Sequence, residues 1–166
     1  MLLLFAVTGG VLLLDQATKF LVMRRIPFET SVPIVGDFLR FTHIRNRGVA
    51  FGLLSDQGIP FVFVSLVAML LIVLSLRRVP REARTLRLAL ASILGGACGN
   101  LIDRVRFREV VDFIEVGVGR YRWPVFNVAD IAVTTGVFLF IAASLFVRRE
   151  SVPRDAGEGG APLDPA

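Results

Sequence analysis

The chain has 166 residues, 54% of them hydrophobic, and a mean hydropathy of +0.68, too apolar for an ordinary soluble domain and suited to a few packed membrane spans. Its net charge of +5 comes almost wholly from arginine, and the arginines lie in short segments between apolar runs, so membrane phospholipid is the expected partner and no nucleic acid is. One cysteine, Cys98, and one histidine, His43, exclude an internal disulfide and a two-histidine zinc motif. No metal or cofactor is called for, although counting alone leaves an all-carboxylate site open.

Four apolar stretches, at about residues 2–23, 59–76, 86–105 and 127–147, each match the roughly 20 residues that cross a bilayer core, and predict four transmembrane helices. The first has the look of a signal-peptide core but lacks a basic leader and a small-residue cleavage site, so it is expected to be retained. Asp15 and Lys19, past its middle, stand i, i+4 on one face, where they neutralise each other, with Gln16 as a polar neighbour. A structural ion pair and a direct substrate role are both open for them. The stretch Arg24 to Gly58 follows, and the aromatic and β-branched residues of 38–45 suit short strands, predicting a small sheet on the membrane surface. His43 reads there as an ordinary loop side chain, and Asn46-Arg47-Gly48-Val49-Ala50-Phe51-Gly52 has turn chemistry.

The second span carries no charge and reads as scaffold. Gly9-Gly10 in the first span and Gly95-Gly96 and Gly99 in the third are small residues that let helices approach, and Cys98 reads as a small buried residue rather than a nucleophile. Asn100 and Asp103 share a face at the end of the third span, and Arg104 follows. Asp112 lies in the next connection, Trp123-Pro124 reads as an interfacial anchor, and Asp130 sits in the opening turn of the fourth span. From Ser151 the Pro, Gly, Ala and acid composition predicts a disordered tail, giving a single membrane-embedded domain over 1–150 and a tail over 151–166.

Four crossings place the segments 24–58 and 105–126 on one side of the membrane, so the unusual polar residues gather in one layer. Which side is not fixed by charge: Arg77, Arg78, Arg81, Arg84 and Arg87 crowd the short loop opposite, while the raw arginine total favours the polar side. Ionisable groups at a hydrocarbon boundary are costly and point to function. Two carboxylates that share a proton can supply both the base and the acid of a hydrolysis.

Taken in order, Asp15-Gln16-Ala17-Thr18-Lys19, Asn46 to Gly52, Gly95 to Arg104, Val110-Val111-Asp112-Phe113 and Phe126-Asn127-Val128-Ala129-Asp130 resemble the five motif boxes of the bacterial lipoprotein signal peptidases, also called signal peptidase II. The resemblance covers about residues 5–147. It implies an all-α membrane protein of four transmembrane helices, with a small extracytoplasmic β-sheet segment between helices 1 and 2. It further implies an aspartyl endopeptidase that cuts diacylglyceryl-modified prolipoproteins just before the lipidated cysteine. The expected location is the inner membrane, as a monomer, with the active site at the extracytoplasmic face and both termini cytoplasmic. By motif the catalytic pair is Asp112 and Asp130. Asp15, Lys19, Asn46, Gly48, Asn100, Asp103, Arg104, Asn127 and Ala129 are implied as substrate-binding or site-supporting.

Asp103 is the rival to Asp112. Its adjacent arginine and same-face asparagine suggest that it is held ionised as a brace. Two other readings compete with hydrolysis: a proton-coupled carrier, for which four spans without an internal repeat are few, and a lipid-binding scaffold, which leaves Asp112 and Asp130 without a task.

Overall fold

The computed structural model describes residues 1–47 and 58–150. The glycine-containing turn from Gly48 to Gly52 and the tail over 151–166 lie outside the described residues. Four long helices cross the fold: α1 (Leu2–Arg25), α2 (Gly58–Arg78), α3 (Arg84–Phe107) and α4 (Val128–Glu150), each long and apolar enough to span a membrane. Their large apolar side chains point outward: Phe5, Leu13, Phe63, Leu70, Phe138 and Leu145 are exposed. This inverts the pattern of a soluble bundle and leaves an apolar belt for lipid.

The centre of the bundle is α3, which packs against the other three helices. Small residues make that approach possible: a Cβ built at Gly96 would come within 2.5 Å of the Ala129 carbonyl oxygen on α4. Hydroxyls tie the seams where water is absent, Thr8 donating to the Ala91 carbonyl at 3.0 Å and Ser92 to the Ala132 carbonyl at 3.0 Å.

At one end of the bundle lies an antiparallel sheet in the order β1 (Ser31–Val35), β2 (Leu39–Asn46), β3 (Val110–Val118) and β4 (Tyr121–Arg122). The expected sheet is present. Among the described residues, however, the segment between the first two helices supplies β1 and β2, and the other two strands come from the connection after α3. The pairing Ile44 with Asp112 and Asn46 with Val110 aligns β2 and β3 in register. Helix α3 ends at Arg108, whose left-handed conformation (φ 61°) lets its N–H reach the Arg104 carbonyl and turns the chain into β3. Buried Val22 of α1 and Ile26, the residue just past its end, pack on Phe113, flanked by Phe41, Ile114 and Val128, and this cluster seats the sheet on the bundle.

Candidate active site

Strand β3 delivers Asp112 and the first turn of α4 delivers Asp130, so the two carboxylates arrive from different elements at the junction of sheet and bundle. Asp112 is 1% exposed and Asp130 half-buried. One residue touches both. The side-chain amide of Asn127 donates to Asp112 Oδ1 at 2.7 Å, and its backbone N–H donates to Asp130 Oδ2 at 3.2 Å.

Asn127 precedes α4, and its Oδ1 accepts the Asp130 N–H at 3.0 Å while Asp130 accepts its backbone N–H. That reciprocal exchange is a capping box built from Asn and Asp, satisfying two donors that the helix start would otherwise leave unpaired. Two further asparagines complete the cage: Asn46 donates to Asp112 Oδ2 at 2.9 Å, and Asn100 donates to Asp130 Oδ1 at 2.8 Å. Each Asp112 oxygen thus accepts one amide N–H, keeping a second lone pair for a proton.

Beneath the asparagines lies a buried ionic cluster. The Lys19 ammonium, 1% exposed, reaches Asp15 Oδ2 at 2.9 Å, Asp103 Oδ2 at 2.8 Å and Asn100 Oδ1 at 2.9 Å. Both acids then grip the backbone beside the pair. Asp103 Oδ2 accepts the Val111 N–H at 3.1 Å, next to Asp112, and Asp15 Oδ1 accepts the Ala129 N–H at 2.9 Å, next to Asp130. The i, i+4 spacing of Asp15 and Lys19 is therefore a real ion pair, but one that extends across to α3. Asp103 is braced by Lys19; Asn100, expected beside it, turns instead to Asp130.

Arg104 is half-buried, close enough for its charge to act on Asp130, Asp112 and Asp103, and it donates to Ser65 on α2 at 3.5 Å. Ala129 is fully buried against α3. Gly48 lies outside the described residues. His43 is not a loop side chain: it sits buried in β2, its Nδ1 bonded to the Ile26 carbonyl at 2.9 Å and its ring edge-on to Phe28. Cys98 is half-buried rather than buried. Gln16, read in the sequence only as a polar neighbour, bridges Asp15, Asp103 and the Gly99 carbonyl through its amide. Its place inside the Asp15-Gln16-Ala17-Thr18-Lys19 motif is the signal that could have found it. Among the described residues, no three His, Cys, Asp or Glu side chains converge to hold a metal ion.

Burial pushes the Asp112 carboxyl up to about 6, with the negative field of Asp130 adding to the rise and the amides of Asn46 and Asn127 opposing it. A carboxyl poised near neutrality beside a second carboxylate has the makings of an acid and base pair for hydrolysis.

Over residues 7–146 the chain matches the family described as signal peptidase (SPase) II. It is 42% identical to a lipoprotein signal peptidase of Syntrophus aciditrophicus (strain SB) over 155 residues, covering 90% of this chain and 96% of that protein. A lipoprotein signal peptidase of Nitratidesulfovibrio vulgaris (strain DP4) is 47% identical over 137 residues, 80% of this chain and 83% of its own. Among solved structures, a bacterial membrane enzyme determined by the in meso method at 2.3 Å superposes with a TM-score of 0.82 at 30% identity, covering 93% of this chain and 94% of that one.

Proposed function

The chain belongs to the signal peptidase II family, and on that footing we propose that Asp112 and Asp130 are the carboxylates with which it works. It is a multi-pass membrane aspartic endopeptidase that removes signal peptides from prolipoproteins. The observation that carries the residue assignment is Asn127, which bonds to both acids at once.

Asp112, whose carboxyl is raised to about 6 by burial, holds the shared proton and donates a hydrogen bond to the scissile carbonyl oxygen. Asp130 takes a proton from water as the water oxygen bonds to the carbonyl carbon, and Asp112 passes its proton to the carbonyl oxygen as the C=O π bond breaks. When the tetrahedral intermediate collapses, the C–N bond breaks, Asp130 returns its proton to the leaving amine, and Asp112 recovers the proton it lent. Asn46, Asn100 and Asn127 orient the two carboxyls; Asp15, Lys19 and Asp103 hold the neighbouring backbone; Arg104 and Ala129 shape the surroundings. Gly48 is assigned to the substrate side by its motif alone.

The substrate we infer is the diacylglyceryl-modified precursor, cut just before the lipidated cysteine, with membrane phospholipid around a monomeric unit spanning 1–150. We place it in the inner membrane with the site outside and both termini in the cytoplasm. The arginines crowding helix ends at the α2–α3 loop support that orientation.

The test is single replacement by asparagine, assayed on a lipidated precursor peptide beside its unmodified form. Asp112→Asn and Asp130→Asn are each expected to lower turnover by about 10²- to 10⁴-fold with the fold intact. Substantial turnover by Asp112→Asn, with Asp103→Asn dead though folded, would transfer the role to Asp103. Equal cleavage of unmodified peptide would remove lipid from the specificity.

A further inference from the structure

At the end of the bundle remote from Asp112 and Asp130, a cavity of about 270 Å³ opens where the start of α1 meets the α2–α3 loop. Arg81, Arg84 and Arg87 line it together with Leu3, Leu4 and Leu88. We propose that it binds the headgroup of one anionic membrane phospholipid, with the acyl chains descending over the leucines.

Three observations support this. First, charge: residues 77–88 carry five arginines against one acid, Glu82, and the first turn of α3 has no acidic residue to offset them. Among the described residues, Arg81 and Arg84 are exposed and have no carboxylate partner within 4.0 Å. Cations gathered without counter-charge repel one another, and a phosphodiester relieves that repulsion. Second, rigidity: Arg87 is fixed by donating to the carbonyls of Val79 at 2.8 Å and Leu76 at 3.3 Å, so the wall is built before any ligand arrives. Third, polarity: the cavity lies at helix ends, the level of headgroups, and its leucines continue into the exposed apolar surface of Leu2 and Leu3. A free phosphate would use only the arginines. A lipid uses the leucines as well.

The test is native mass spectrometry of the purified full chain in detergent, titrated with dioleoyl phosphatidylglycerol or dioleoyl phosphatidylcholine. Expected is a single saturable phosphatidylglycerol adduct that outcompetes phosphatidylcholine and is not displaced by inorganic phosphate. Arg81→Gln with Arg84→Gln should weaken it by about 25-fold, each charge contributing about fivefold, whereas lysine at both positions should retain most of the binding. Equal uptake of the two lipids, adducts that never saturate, unchanged retention by the glutamine variant, or displacement by inorganic phosphate would each overturn the proposal. Should the glutamine variant fail to fold, the wild-type lipid comparison and the lysine variant still decide.

Discussion

Replacing Lys19 by methionine keeps the length of the side chain and deletes its charge, and the cost follows from the cluster around it. Asp15, Lys19 and Asp103 are all at most 2% exposed and together carry a net charge of −1. Without the ammonium, two carboxylates are stranded in a buried layer, and breaking a buried pair costs about 3–5 kcal/mol. The Ala129 N–H, the Val111 N–H and Gln16 still serve the stranded carboxylates, which keeps the loss within that range. We therefore expect Lys19→Met to lose about 4 kcal/mol, or about 8–16 °C in Tm for a chain of this size. Removing the acid as well, in Asp15→Asn with Lys19→Met, keeps the cluster at −1 and should recover most of the loss. The assay is thermal unfolding in detergent at pH 7. A Lys19→Met variant that melts within about 2 °C of wild type, or whose loss is not reduced by adding Asp15→Asn, would refute the reasoning.

With Asp112 protonated below about 6 and ionised above, kcat/KM should fall about tenfold per pH unit above that value. Asn46→Leu, which deletes an amide that favours the ionised form, should move this limb to higher pH; an unmoved limb would detach Asp112 from the proton-holding role. The same raised carboxyl makes the native state bind more protons than the unfolded chain between about pH 4 and 6. Its contribution of about 3 kcal/mol is therefore fully present below about pH 4 and is lost as pH rises through 6, measurable as a falling Tm. Gly96→Ala drives a methyl group against the Ala129 carbonyl and should destabilise by about 1–3 kcal/mol, read as a lower Tm; unaltered melting would mean that the α3–α4 seam can part.

The four helices were legible because a bilayer imposes a length and an apolar composition that no other environment demands. The sheet was half legible. Residues 38–45 announce strands by their own chemistry, but β3 lies more than 60 residues further on, and nothing local to Val110–Val118 says which strand it will meet. The Asp15–Lys19 pair follows from helical periodicity, whereas the reach of Lys19 to Asp103 depends on how α1 and α3 dock. Motif order alone suggested asparagines near the acids. Their wiring, one amide to each carboxyl oxygen, depends on side-chain placement that spacing does not encode. His43 misled because a lone histidine without a motif partner looks solvated, while the sheet buries it against Phe28.

The Asn127–Asp130 cap has a bearing on biosynthesis. On the proposed assignment, one acid resides in α4, which is synthesised after α1 and α3, and Asp15 of α1 and Asn100 of α3 receive its first turn at Ala129 and Asp130. The nascent chain consequently cannot cut passing precursors until α4 inserts, because docking that helix and arming the protease are a single event.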